Sequence, residues 1–353
     1  MNAPFRPVRA HVRLAHPEDR AAIARFVADD PEATPFHRAA WMEAITAATG
    51  HGSHLLLAEA DGVIAALLPL HAAHSPLFGR ALVSCGFAVG GGMLGDAAHA
   101  TALFTAATEL AGRLSCSSIE VRGGPMPAAE GWHIKRDSHA GFVLRLAADD
   151  AAQLTAIPRK QRAEVRKGLA NAMEVEIGSD AAARAAHYAV YAESVRNLGT
   201  PVFPRALFEA VMDRFGADAD ILTVVHQGTA VASVLSLYHR GAVMPYWGGG
   251  VQAARTLRAN DVVYYALMCH ARQRGCDRFD FGRSKTDTGA YHFKRNWGFE
   301  PLPLAYAQWT AHGAAPRDVN PLSPRYRARI AVWQKLPLWA ANRLGPLISS
   351  SLA

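Results

Sequence analysis

Apolar and polar positions along the chain fall into two series of short runs that resemble each other. LLLAEADG at 55–62 and ILTVVHQG at 221–228 are apolar runs closing on Asp-Gly and Gln-Gly, the pattern of a strand entering a tight turn. Each is followed by a second apolar run that ends at a histidine, His71 in one and His239 in the other. A glycine triplet comes next, Gly90-Gly91-Gly92 and Gly248-Gly249-Gly250, with a loop after the second. Helical stretches follow, TALFTAATELAGRL and DVVYYALMCHARQRG, and each series closes on a short strand, SIEVRG at 118–123 and RFDFGR at 278–283.

Five elements recurring in the same order about 160 residues later point to a duplicated domain rather than a short-period solenoid. Hairpin, helix and parallel strand in that order predict an α/β (α+β) fold of two tandem domains, with mixed sheets flanked by helices. A doubly wound sheet would alternate strand and helix from the start. The expected division is residues 1–150, residues 151–310, and a basic, Pro-containing tail over 311–353. In that tail Pro316, Pro321, Pro324, Pro337 and Pro346 exclude one continuous helix.

Composition narrows the class. Half of the 353 residues are hydrophobic and 19% are charged, which is a globular balance and not a disordered one. The net charge of +7 suits an acidic partner such as a phosphorylated substrate, an RNA or an anionic membrane surface, although an Arg-rich composition alone would also produce it. Cys85, Cys116, Cys269 and Cys276 form no C-x-x-C pair and no zinc spacing, so no metal site is expected. All four are expected to be reduced, with Cys269 and Cys276 on one helical face. No apolar run has the length of a signal peptide or a transmembrane helix, which predicts a cytoplasmic protein, with peripheral contact at the inner membrane face as an added option.

Three stretches carry candidate chemistry. GRSKTDTGAYHFKRNWGFEP, 282–301, follows a strand, so Arg283, Ser284 and Lys285 would sit at its C-terminal end, where α/β sheets bind ligands. With Lys294 and Arg295 nearby, this mix of cations and hydroxyls suits a phosphate or a developing oxyanion. VMPYWGGGVQAARTLRANDVVYYALM, 243–268, runs from a strand into a helix start. There Asn260 or Asp261 would cap the helix, and its amides with Arg255 and Arg258 would seat a pyrophosphate. IPRKQRAEVRKGL, 157–169, places Arg159, Arg162 and Arg166 on one helix face, either facing phosphate or solvated. The basic tail, with Trp333 and Trp339, could lie in a membrane interface or clasp the protein surface, and the clasp is favoured. A G-x-S-x-G elbow, H-E-x-x-H and a Walker loop are all absent, leaving positioning and oxyanion stabilisation as the mechanism class.

The run PRKQRAEVRKGL, YAESVRNLGTPVFPRALFEA, PYWGGG, AND and FDFGRSKTDTGAYHFKRNWGFEP, with NP-x-x-PRYR and W-x-x-LPL in the tail, resembles the FemAB-like proteins associated with exosortase and PEP-CTERM systems. These are part of the GNAT-like acyltransferase superfamily, and the likeness spans nearly the whole chain. It implies two tandem GNAT-like domains and transfer of an acyl or aminoacyl group to an amine. Members of the wider family draw on aminoacyl-tRNA, whereas ordinary GNAT enzymes use acyl-CoA and hold it with a Gln/Arg-x-x-Gly-x-Gly/Ala loop. Here that loop reads Arg255-Thr-Leu-Arg258-Ala-Asn260, with both glycines replaced. The donor is thus a co-substrate, aminoacyl-tRNA or acyl-CoA, with no tightly bound cofactor.

By this resemblance Asp280, Gly282, Phe293 and Lys294 match the closing motif, and Tyr291 is the phenol placed to protonate a leaving group. The expected roles are Tyr291 as general acid, Lys294 and Arg283 on the oxyanion or donor phosphate, and Asp280 or a water as base. Arg255, Arg258, Asn260, Asp261, Ser284 and Lys285 would bind donor phosphate, and Arg159, Lys160, Arg162, Tyr246 and Trp247 the substrate. Arg258, Arg283 and Lys294 would share one glycine-lined cleft. The acceptor would be a phosphorylated or glycan precursor of the cell envelope or an exopolysaccharide, with tRNA as a potential partner. The rival reading is a non-catalytic assembly factor of an exosortase or exopolysaccharide system that binds a nucleotide sugar or a protein partner.

Overall fold

The computed structural model describes residues 11–75, 79–314 and 324–350. The first series of elements is β1 (His11–Leu14), α1 (Arg20–Asp29), α2 (Ala39–Thr49), β2 (Gly52–Ala60), β3 (Val63–Ser75), β4 (Gly79–Val83), β5 (Leu94–Gly95), α3 (Ala100–Arg113), β6 (Ser118–Arg122) and β7 (Trp132–Lys135). After β8 (His139–Arg145), α4 (Asp150–Ala156) and α5 (Arg159–Leu169), the second series begins. It comprises β9 (Met173–Gly178), α6 (Ala181–Leu198), α7 (Arg205–Phe215), β10 (Ala219–His226), β11 (Thr229–His239), β12 (Ala242–Gly250), α8 (Ala254–Leu257), α9 (Ala259–Gln273), β13 (Arg278–Lys285), α10 (Gly289–Asn296) and β14 (Pro301–Pro303). The chain closes with β15 (Tyr306–Thr310), α11 (Pro324–Gln334) and α12 (Leu338–Ser349).

Two mixed sheets with flanking helices result. One runs β1-β2-β3-β4-β6-β15-β7, with β5 added to β3, and the other runs β14-β8-β13-β12-β11-β10-β9. The expected duplication is therefore present as a repeated architecture. In each copy an antiparallel hairpin turns on two residues of positive φ, Asp61-Gly62 (51° and 77°) and Gln227-Gly228 (50° and 72°). That geometry matches the twist of the flanking strands and explains the Asp-Gly and Gln-Gly pairs. β3 continues past His71 to Ser75, so that histidine does not end its strand.

The two compact units are interleaved along the chain instead of consecutive. The first takes the chain up to Arg136 and takes it back at Leu304, and the second runs Asp137–Pro303 and includes the tail helices. The cause is an exchange of strands: β8 lies between β13 and β14, and β15 lies between β6 and β7. Each sheet is completed by a strand that follows the other series in sequence.

In the first unit, α3 turns Leu103, Phe104, Ala107, Leu110 and Ala111 onto its sheet, the spacing of one helical face. In the second, α9 does the same with Val262, Val263, Leu267, Met268 and Ala271. Burying a side chain such as Leu267 contributes about 2 kcal/mol. A polar clamp holds the far end of α9. The buried Asp220 carboxylate accepts the Tyr238 hydroxyl at 2.8 and 3.0 Å, His270 Nε2 at 2.8 Å and Arg274 at 2.8 Å. The Arg274 guanidinium also lies 3.7 Å from the centroid of the Tyr238 ring.

All four cysteines are free thiols, as expected. Cys276 lies past the end of α9, so it does not share a helix face with Cys269. In the tail, Pro324 opens α11 and Pro337 precedes α12, whereas Pro346 sits inside α12, which tolerates it. Pro316 and Pro321 fall outside the described residues, as do the N-terminal ten residues and much of the NP-x-x-PRYR stretch. The tail clasps the second unit. Gln334 donates to the Asn197 carbonyl at 3.0 Å and Ser349 Oγ to the Val202 carbonyl at 2.8 Å. Gly345 lies so close to Val202 that a Cβ there would sit 2.9 Å from it.

Candidate functional site

In the second unit, β12 and β13 pair in parallel only at Ala242↔Arg278 and Val243↔Phe279. Beyond those two positions the strands part while each keeps its outer neighbour, β11 or β8. Register breaks on both sides reinforce the opening. Along β12, Leu235 pairs with Trp247 and Ser236 with Pro245, so Tyr246 is an extra, bulged residue. Along β13, the register shifts between Asp280 and Arg283. Gly282 adopts φ +66° there, and its N–H donates to Asp280 Oδ1 at 2.9 Å.

The second glycine triplet continues its strand. Gly248, Gly249 and Gly250 pair with Val234, Ser233 and Ala232 as part of β12. Close packing requires them: a Cβ at Gly249 would lie 2.3 Å from Ser194 Oγ, and one at Gly250 2.6 Å from Asn260 Oδ1. They let α6 and the start of α9 press against the strand.

Neither Asn260 nor Asp261 caps α9. The cap position is Arg258, in the left-handed region at φ +59°, and the N–H groups of Asp261 and Val262 bond its carbonyl. Asp261 instead accepts Gln161 Nε2 of α5 at 2.6 Å, and burial pushes its carboxyl up. The Arg258 side chain is committed: its Nε lies 2.7 Å from Glu164 Oε2, and Nη1 donates to the Arg255 carbonyl at 3.1 Å. Arg255 is exposed. Arg258 is thus bound into the contact between α5 and α9 through Glu164.

Arg283 and Lys294 do come together. Thr288 caps α10 by accepting the Tyr291 N–H, which aims the helix so that Lys294 Nζ donates to the Arg283 carbonyl at 2.9 Å. The Lys294 ammonium is buried, 5.4 Å from the Phe142 ring centroid and 5.3 Å from that of Phe281. Burial brings its pKa from 10.5 down to about 8, against the opposing pull of Asp280. Burial likewise raises the Asp280 carboxyl, offset by the Gly282 N–H and Lys294. The Tyr291 ring lies edge-on to Phe142, 5.4 Å between centroids. Ser284 Oγ is buried without a hydrogen-bond partner, and Lys285 is half-buried at the strand end.

The residues proposed to hold substrate divide into two groups. Arg159 and Arg162 line an open groove of about 480 Å³ on the outer face of α5 with Arg166 and Lys167, and Lys160 is exposed on the same helix. Tyr246 and Trp247 belong to β12. Trp247 is buried against Phe208 at 4.6 Å between ring centroids, with Phe203 at 6.3 Å and Tyr246 at 4.9 Å. Phe203 and Phe208 were not singled out in the sequence, nor was the buried chain His187–Ser233–Thr223, with 3.0 Å at each step. Burial drops His187 to about 3, so it stays neutral and is a poor base. The only hint of this wall was the aromatic spacing within YAESVRNLGTPVFPRALFEA.

Residues 159–295 match the family described as acetyltransferase (GNAT) domain. This stretch of the second unit is thus similar to a GNAT acetyltransferase domain. Among solved structures, FemX aligns at a TM-score of 0.66 with 15% identity, covering 84% of this chain and 96% of FemX. A tandem GNAT protein from the clavulanic acid biosynthesis pathway aligns at 0.57 with 12% identity, covering 87% and 100%. The C-terminal domain of a putative lysylphosphatidylglycerol synthetase from Agrobacterium fabrum aligns at 0.55 with 14% identity, covering 82% and 91%. These likenesses establish the fold: two GNAT-like domains in tandem. No curated protein matches the chain.

Proposed function

We propose that the chain transfers an acyl or aminoacyl group to an amine on a cell-envelope or exopolysaccharide precursor, with catalysis in the second unit. The observation that carries this reading is the parting of β12 from β13 after Val243 and Phe279. Past that point β12 and β13 no longer pair, which opens a wedge between the two strands. An extended, amide-bearing donor arm fits such a wedge and would bring its carbonyl to the Tyr246 bulge. The amine would attack that carbonyl directly, in a ternary complex, and the oxyanion would be met by backbone N–H groups at the bulge.

Lys294 acts in this scheme through the backbone it holds. Its bond to the Arg283 carbonyl fixes the end of β13, which leaves the Arg283 guanidinium as the group for donor phosphate or oxyanion. Asp280 is spent on the Gly282 bulge and serves that geometry better than it would serve as a base. Tyr291 is the proposed proton donor to the leaving group. Ser284 and Lys285 at the strand end, with Arg255 and Asn260 at the start of α9, would complete the donor contacts. Tyr246 and Trp247, backed by Phe203 and Phe208, would form the acceptor wall.

The donor is acyl-CoA or aminoacyl-tRNA. Arg258 replaces a loop glycine and is ion-paired to Glu164, and the α5 groove offers Arg159 and Arg162, with Lys160 exposed on the same helix, to a longer polyanion. Both features suit aminoacyl-tRNA, whereas the wedge beside β12 suits the amide-bearing arm of acyl-CoA, so the test includes both donors. Lysylphosphatidylglycerol synthetase, among the similar folds, is named for an aminoacylated envelope lipid, and the exosortase-type resemblance points to the same compartment.

The test supplies purified protein with acyl-CoAs or charged tRNAs and an envelope-precursor extract, and follows products by mass spectrometry. An acylated amine formed by the native protein and lost on Arg283→Ala supports the reading. Acceptor binding without turnover for any donor would instead support the assembly-factor alternative.

A further inference from the structure

The tail helix α12 is amphipathic in an unusual sense. Its small residues Ala341, Gly345 and Ser349, one helical turn apart, face the protein and pack at Val202. Its large apolar residues face outward: Trp339 and Leu347 are each 73% exposed, and Leu344 is exposed at the flank of this face. On α11 the neighbouring Val332 is 65% exposed. An apolar face of this kind is normally turned inward, and large ones left in the open mark interaction sites.

Charge identifies the partner. Arg343 projects from the centre of this face, between Trp339 and Leu347 in the helical register, and Lys335 is exposed at the turn before α12. From residue 310 to the C-terminus the chain carries a single acid, Asp318. A second copy of the chain would bring two Arg343 side chains into one apolar seam with no acid at hand to pair them. Tryptophan, aliphatic residues and cations together are the composition of the boundary between lipid headgroups and acyl chains. α12 has 12 residues, about 18 Å of helix, and no helix among the described residues is long and apolar enough to cross a membrane.

We infer that the outward face of α12, with Lys335 beside it, docks the protein on an anionic lipid bilayer, the helix lying flat in the interface. The small-residue face holds the helix to α6, so docking needs no refolding of the tail. This inference is independent of the acyl-transfer reading, because it concerns a surface outside the candidate site and is measured without turnover.

The test is sedimentation of the full chain with vesicles of phosphatidylcholine alone or with a third phosphatidylglycerol. Two cations at the surface predict about thirtyfold stronger partition onto the anionic vesicles, shrinking in 0.5 M salt. Trp339→Ser with Leu347→Ser should lower partition at least about tenfold, and Lys335→Gln with Arg343→Gln should remove most of the preference for anionic lipid. All four substitutions lie on exposed positions, and an unchanged thermal melt would show that the variants fold. Absence of binding to either vesicle would overturn the inference, as would binding that both double variants retain. A dimer dissolved by Trp339→Ser, in protein that ignores vesicles, would overturn it in favour of self-association.

Discussion

Lys294 offers a sharp test because the structure gives its burial a stability cost. An unfolded lysine keeps its proton up to about 10.5, and in the fold Lys294 loses it near 8. Between these values the unfolded chain holds the extra proton, so stability rises with pH from 8 to 10.5, and below 8 the cost is complete. The difference corresponds to about 3 kcal/mol. Lys294→Met removes that cost and keeps the packing against Phe142 and Phe281, but loses the bond to the Arg283 carbonyl, about 1–2 kcal/mol. The variant should therefore be about 1–2 kcal/mol more stable than the native protein at pH 7, with a melting temperature higher by roughly 2–8 °C for a domain of this size. The advantage should vanish and reverse toward pH 10. Urea unfolding of both proteins at pH 7, 8, 9 and 10 measures the difference, which cancels the titrating groups that do not touch Lys294 and leaves Asp280, whose carboxyl is pushed further up in the variant. A variant less stable than the native protein at pH 7, or a difference that does not change with pH, would refute the reasoning. Transfer activity should fall in the same variant, the pattern of a residue retained for function at the expense of stability.

Other consequences follow from single contacts. Arg258→Gly relieves a left-handed residue and should cost less stability than Arg258→Ala by about 1 kcal/mol, as thermal melts would show. Gly249→Ala drives a Cβ into Ser194 and should cost about 1–3 kcal/mol, with most of it recovered by adding Ser194→Gly. Asp220→Ala leaves Arg274 and His270 without their carboxylate and should cost about 3 kcal/mol or more in denaturant titrations, whereas distant Lys160→Ala should be neutral.

The hairpin turns, the helix α9 and the closing strand were legible in the sequence because their determinants are local: Asp-Gly and Gln-Gly pairs, a 3.6-residue apolar repeat, and RFDF. What escaped depends on partners far away in the chain. The need for glycine at Gly249 and Gly250 is hidden until Ser194 and Asn260 are seen to occupy the room a Cβ would need. Arg258 reads as a phosphate ligand until Glu164, 94 positions earlier, is found at 2.7 Å. The clamp at Asp220 draws Tyr238 from β11 and His270 and Arg274 from the end of α9, and no spacing announces it. Strand exchange is hidden for the same reason, since β8 and β15 look like ordinary neighbours of the strands that precede them.

That exchange also fixes an order for biogenesis. Until Tyr306–Thr310 emerge from the ribosome, the first sheet lacks its β15 strand, and β7 has no neighbour of its own to bond. The nascent first unit must therefore wait, with an open β6 edge liable to stick to other chains, until the residues of β15 are synthesised. Cutting the gene near codon 150 should yield two insoluble fragments, and co-expressing them should recover soluble protein only if each can still donate its strand.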